Sequence, residues 1–322
     1  MKFSLYGVQF CTKERERVMM RKIVLLLFVS VTLWANRITP SEVYAESMII
    51  RQHVEFLLDY YKIMYNPEEI AKRTRFTRTK FQPRNVWQRG YELLVKINIL
   101  RESHGLSRIE PVGMEPVEKL NPDMVYGQTQ RVLAELRIFE VRLGIKVPHF
   151  TVKKFYHKTP SDVYNSLTYI SALFDQLNHS ELSPSYVFAE AMRIYDDLTM
   201  ILQKLNIKDN TIPTVRKEGA TPSDSMKRSI LVLESIQRLQ RDAGIESIDF
   251  SELYKKEASP SDVYTIIGII LAELQPIKAY VGLTNKVTPS AIKYNKKVPA
   301  DIEQLMGWNL RKLSLISSLR RR

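Results

Sequence analysis

Ser259-Pro260-Ser261-Asp262-Val263-Tyr264 decides the fold, because the same phrase recurs along the chain. Thr39-Pro40-Ser41-Glu42-Val43-Tyr44 and Thr159-Pro160-Ser161-Asp162-Val163-Tyr164 are close copies. Looser copies begin at Gln82-Pro83, Asn121-Pro122, Ser183-Pro184 and Thr221-Pro222, and Val298-Pro299-Ala300-Asp301 is a degenerate eighth. The phrase reads as a helix N-terminus. A Ser, Thr or Asn side chain at the cap accepts from backbone N–H groups that have no partner inside the helix. Proline at the first helical position gives up an N–H that had no partner there. An acid two positions later completes a capping box and meets the positive end of the helix dipole.

The residues that follow keep time. Counting from each proline, offsets 3, 7, 10, 14, 17 and 21 should line one face of a helix. From Pro260 they are Val263, Ile267, Ile270, Leu274, Ile277 and Val281; from Pro184 they are Val187, Ala191, Ile194, Leu198, Ile201 and Leu205. From Pro160 the series stops after Leu177. This 4-3-4-3 spacing is the seam of helices packed nearly parallel or antiparallel. The stops are in register as well. Gly105, Gly144, Asn206, Gly244 and Gly282 each lie 22 residues after a helix-starting proline, and each is followed by Leu or Ile. Gly or Asn before an apolar residue is the signature of a Schellman stop.

These observations predict an all-α protein of about eight long, Pro-initiated helices. They pack as one elongated array or as two four-helix bundles, with long irregular connections. The starts are Thr39-Pro40, Pro83, Pro122, Thr159-Pro160, Pro184, Thr221-Pro222, Ser259-Pro260 and Pro299. At ~1.5 Å per residue each helix should be roughly 30 Å long. The long connections carry Phe150, Phe155, Ile248 and Phe250, which suit them to run back along the helices. The stretch from Asn178 to Ser183 is short, so the helices on either side should form an antiparallel hairpin. Pro276 should kink the helix that contains it.

The N-terminus reads as an address. Met20-Arg21-Lys22 precedes an apolar run from Ile23 to Ala35, the pattern of a secretory signal peptide cleaved after Ala35. An uncleaved membrane anchor is the alternative. Residues 1–18 fit no signal peptide, so translation is expected to begin at Met19 or Met20. Residues 1–35 thus separate from a tandem-helix region over 36–322. The chain has 322 residues, with 48 Lys+Arg against 35 Asp+Glu and a single cysteine, Cys11, in the leader. One cysteine excludes a disulfide framework and thiolate metal sites. Losing residues 1–35 removes six basic and two acidic residues, which leaves a net charge of +9.

Little in the sequence points to chemistry. The five histidines, His53, His104, His149, His157 and His179, have no metal-ligand spacing and read as structural. The H-E-x-x-H, G-x-S-x-G and P-loop signatures are absent. Asp196-Asp197 and Glu68-Glu69 read as surface acids, because adjacent helical residues point in different directions. The aromatic at the fifth helical position (Tyr44, Trp87, Tyr126, Tyr164, Phe188, Tyr264) reads as packing, with stacking platforms for a ligand as the rival. The basic residues Arg73, Arg75, Arg78 and Lys80, then Lys153, Lys154 and Tyr156, then Lys255 and Lys256 form a candidate surface for an anionic partner. Behind a signal peptide, that partner would be lipid head groups, polysaccharide or another envelope or secreted protein, and not nucleic acid.

The sequence therefore predicts a periplasmic or secreted binding or scaffold protein without cofactor, metal or catalytic residues. Two alternatives have their own signatures. A ligand-sensing bundle would show a pocket near Gly90, Gly127 or Gly268. An envelope enzyme would bring two carboxylates into one cleft only in the folded chain.

Overall fold

A computed structural model describes residues 38–111 and 120–319. The expected signal peptide, Cys11 and the terminal Arg320-Arg321-Arg322 lie outside the described residues. Among those residues there are nine α-helices and no strand. They are α1 (Pro40–Tyr60), α2 (Pro67–Thr74), α3 (Pro83–Ser103), α4 (Pro122–Arg142), α5 (Pro160–Leu177), α6 (Pro184–Lys204), α7 (Pro222–Asp242), α8 (Pro260–Tyr280) and α9 (Pro299–Leu319). All eight expected starts are found with proline as the first helical residue. Seven of these helices are 21 residues long and α5 has 18, as its shortened seam implies. The extra helix, α2, begins with the same grammar. Asn66 accepts from the N–H groups of Glu68 and Glu69, with Pro67 between.

The five expected stops have the geometry their residues suit. Gly105, Gly144, Asn206, Gly244 and Gly282 all have positive φ, between 54° and 80°. The next residue closes the 6→1 bond in each case, for example Ile207 N to Leu202 O at 2.9 Å and Leu283 N to Lys278 O at 2.8 Å. Lys62 and His179 take the same left-handed conformation after α1 and α5.

The long helices pack as two four-helix bundles. In the first, α1 neighbours α4 and α5, and α3 neighbours the same two. In the second, α6 neighbours α8 and α9, and α7 neighbours the same two. Numbered by order along the chain, the neighbour scheme is identical in both bundles. Within each bundle the helices are parallel. Pro40, Pro83, Pro122 and Pro160, with Val43, Val86, Val125 and Val163, converge on one small apolar dimple. All four helices of the first bundle therefore begin at one end. Every connection inside a bundle has to return along a helix, and each has 17 to 22 residues for the task. At ~3.3 Å per residue, that length is ample for a return of about 30 Å.

The serine after the proline explains itself here. At the second helical position its hydroxyl takes the N–H just before the cap of a neighbouring helix. Ser41 accepts from Lys158, Ser161 from Phe81, Ser185 from Lys297, Ser223 from Ala258 and Ser261 from Leu182, all at 3.0–3.2 Å. In the second bundle the links run α7 to α8 to α6 to α9, and Ser225 closes the ring by donating to Pro299 O at 2.9 Å.

The six residues between α5 and α6 are too few to return along a helix. They send the chain into the second bundle in the opposite direction. The expected change of direction holds, but the expected hairpin does not. Helices α5 and α6 belong to different bundles and are not packing neighbours. The bundles instead meet through α3 and α8, which run antiparallel. Arg84 in the first turn of α3 reaches Glu273 late in α8, whereas Arg89 meets Thr265 early in α8. Both helices are consequently buried on nearly every side. Helix α8 is long and apolar enough to cross a membrane, but its apolar surface is spent inside the protein. Pro276 does not end it.

The connections lie down on the bundles. Phe155 packs edge-on against Tyr44, Phe81 stacks on Tyr164 and Phe188 meets Tyr294. Two amides at matching positions pin them. Asn98 in α3 makes a two-way bond with the Ile109 backbone, and Gln237 in α7 donates to Ile248 O. Replacing Ser161 with Ala should lower stability by about 1–3 kcal/mol, because the part-buried Phe81 N–H loses its acceptor. Urea titration of the purified protein, followed by far-UV circular dichroism, measures it.

Candidate functional site

The seam between the bundles carries most of the buried charge. Seven residues apart on α3 and again on α6, charges of opposite order occupy the same helical positions. Counting from the proline, offsets 6, 9 and 13 are Arg89, Glu92 and Lys96 on α3, and Glu190, Arg193 and Asp197 on α6. All six are buried. Arg89 pairs with Glu92 at 2.5 Å and Arg193 with Glu190 at 2.6 Å. Lys96 reaches across to Asp175 on α5 at 2.6 Å, and Asp197 is reached by Lys278 on α8 at 2.7 Å. Asp197 is therefore not the surface acid its sequence neighbourhood suggests. Its partner lies 81 residues away, beyond the reach of any local pattern.

Glu273 is the centre of another buried polar cluster. Arg84 binds both its oxygens at 2.9 and 3.0 Å, and Asn85 and Gln240 donate to them as well. This fully occupied carboxylate ties α3, α7 and α8 together. Gln88 crosses the same seam to Glu190 at 2.5 Å. It passes over Gly268, where an added Cβ would come within 3.2 Å of the Gln88 side chain. At Gly90 an added Cβ would lie 2.8 Å from Gln128. These two glycines make room for glutamine side chains of the protein itself, so neither marks the pocket a ligand-sensing bundle would have there. Gly127 is open on its surface side.

One cleft does hold two carboxylates. Glu92 and Asp175 line a cavity of about 60 Å³ between α3, α5 and the start of α8. Burial pushes Asp175 up to about 6, against the opposing pull of Lys96. The cleft is already filled with partners. Glu92 takes Arg89 and the Ser171 hydroxyl, and Lys96 lies between the two acids. What remains suits a few waters. Among the described residues no group of three or more His, Cys, Asp or Glu side chains is placed to hold a metal ion. His53 pairs with Glu140 at 2.8 Å inside the first bundle, and His157 and His179 occupy left-handed turns.

The basic candidates divide. The connection around Arg78 lies on that around Glu252, whose carboxylate accepts the N–H groups of Thr77, Arg78 and Thr79. Arg73 and Lys255 thereby line one cleft, with Lys255 paired to Asp262 at 2.6 Å. Arg75, Arg78, Lys80 and Lys256 are exposed. Lys153 and Lys154 belong to a different connection and hold their ammonium groups over Phe155 and Tyr156. The aromatics at the fifth helical position pack against connections and neighbouring helices and offer no free stacking face at Tyr164 or Tyr264, both buried.

No protein family, no characterised protein and no solved structure matches this chain.

The position of Asp175 fixes a pH dependence. Its native carboxyl keeps a proton up to about 6, whereas the unfolded chain releases it near the usual 3.8. Native stability should therefore fall as pH rises through that window. Asp175→Asn removes the titrating group. Urea midpoints at pH 4 and pH 6 should show the wild type losing stability relative to the variant. A difference that stays flat, or runs the other way, contradicts the assignment.

Proposed function

We propose that this protein is a non-catalytic binding or scaffold protein of the cell envelope, periplasmic or secreted. One observation carries the reading: the buried ionisable groups of the bundle seam are committed to one another. Glu92, Glu190, Asp197 and Glu273 each have an internal cation, which leaves them as structural fasteners and not as reagents. Rigid parallel bundles covered by long connections present a surface, and part of that surface is basic.

The partner that fits Arg75, Arg78, Lys80, Lys153, Lys154 and Lys256 is anionic: an acidic envelope protein, lipid head groups or a cell-surface polysaccharide. Export follows from the leader at Met20–Ala35. Co-sedimentation with vesicles of anionic lipid and with an anionic polysaccharide, at low and high salt, tests the surface. Binding should weaken with salt and drop at least several-fold when Arg75, Arg78 and Lys80 are changed to Glu. Full retention in that triple variant counts against the surface, and turnover of a cell-envelope substrate by the purified protein counts against the non-catalytic reading. N-terminal sequencing of the protein recovered from fractionated cells should begin near Asn36.

A further inference from the structure

On the opposite side of the seam from Glu92, helices α3, α6 and α8 and the connection leading to α9 enclose a second cavity of about 150 Å³. A cavity of this size has room for a benzene-sized molecule. Tyr91, Val95 and Ala189 form its walls, and all three are buried. Tyr264 also lines it and is 1% exposed, yet its buried hydroxyl has no hydrogen-bond partner among the described residues. A buried phenol without an acceptor is costly, so one left open beside a cavity points to something that fills it. The Tyr91 hydroxyl accepts from Ala291 N at 3.1 Å, which leaves its proton to give. Burial pushes both phenols up, so both are donors at neutral pH.

The rim has the opposite character. Arg108, Lys293 and Lys296 line the same cavity. Glu102 holds the first two, with Lys293 at 2.9 Å and Arg108 at 3.5 Å, and Lys296 adds a third cation that this carboxylate does not hold. A wall of Tyr91, Val95 and Ala189, a buried donor, the polar Asn98, Ser185 and Asn295 and a cationic rim define a ligand by its chemistry. We propose that this cavity binds a small organic carboxylate of about one aromatic ring, with the carboxylate among Lys293, Lys296 and Arg108 and an acceptor oxygen at its far end on the Tyr264 hydroxyl. This goes beyond the surface role proposed above and uses none of the same side chains.

The neighbour that competes for Tyr264 is Glu190, whose Oε2 is also without a partner. A single water joining the two would satisfy both, and the test has to separate that from a ligand. The probe is 4-hydroxybenzoate, titrated into the full folded protein and followed by calorimetry and by amide NMR shifts. Saturable binding with a dissociation constant below about 1 mM is expected. Tyr264→Phe keeps the ring and should weaken it about tenfold. Lys296→Gln, at an exposed position, should weaken it several-fold and reduce its salt dependence. Phenol, which lacks the carboxylate, should bind more weakly than the probe. Absence of saturable binding overturns the proposal, and so does binding indifferent to both variants or a crystal soaked with the probe showing only water in the cavity. Circular dichroism of each variant guards against a loss that reflects unfolding.

Discussion

Everything else in this structure follows from keeping four helix starts at the same end of a bundle. Parallel neighbours cannot be joined by a tight turn, so each connection has to traverse the helix length. That requirement explains 17 or more residues between helices where an antiparallel bundle needs two to eight. Parallel packing also gathers the unpaired N–H groups of four helix starts in one plane. The Thr-Pro-Ser-Asp phrase meets that need twice. The cap residue and the acid satisfy donors of their own helix, and the serine between satisfies the chain entering the next one. Aligned dipoles repel within a bundle, and setting the second bundle antiparallel to the first offsets part of that repulsion.

The same constraint explains the polar seam. Connections cover much of the outside of each bundle, so the bundles meet where α3 and α8 face each other. Both helices then have to be buried all round, although a helix seam supplies only one apolar stripe. Their remaining faces carry the part-buried Arg84 and the buried Asn85, Gln88, Arg89, Glu92, Glu273 and Gln275, and these have to find partners inside the protein. Breaking such a buried pair strands a charge and is strongly destabilising, whereas making one contributes little net stability. The seam therefore sets how the bundles fit together more than how stable they are.

The helices were legible because their signals are local. A cap, a proline, an acid and a stop glycine lie within one helix, and the seam period connects them. Even α2 obeys that grammar, although Asn66-Pro67-Glu68-Glu69 begins a helix of only eight residues. Direction was half legible: six residues cannot return along α5, but nothing near them says that α6 joins a different bundle. The role of the serine at the second helical position was hidden for the same reason. Ser161 and Phe81 are 80 residues apart, and only the parallel arrangement joins them. Asp197 and Lys278 are likewise remote, so an adjacent pair of aspartates gave no hint of burial. Gly90 and Gly268 were visible as missing side chains, but a missing side chain does not say whether a ligand or a glutamine takes the space.

The polar groups that cross the seam have a further consequence for specificity. The two bundles share one neighbour scheme and one style of helix start, so each bundle could pair with another copy of itself. With Arg89, Glu92 and Lys96 on one bundle and Glu190, Arg193 and Asp197 on the other, the two faces differ in sign at every matching position. Each triplet is neutralised within its own bundle, Lys96 by Asp175 and Asp197 by Lys278, so the ion pair that a seam of two like bundles would break is Arg84 with Glu273. Burying unpaired charge costs several kcal/mol per ion, which exceeds any gain from swapping equivalent apolar seams. Gln88 adds a contact that only the correct pairing makes, because it needs Gly268 beneath it and Glu190 beyond. The Arg84–Glu273 pair and the Gln88 bridge thus do for the pairing of bundles what proline position does for the helices: they exclude alternatives that the apolar pattern by itself leaves open.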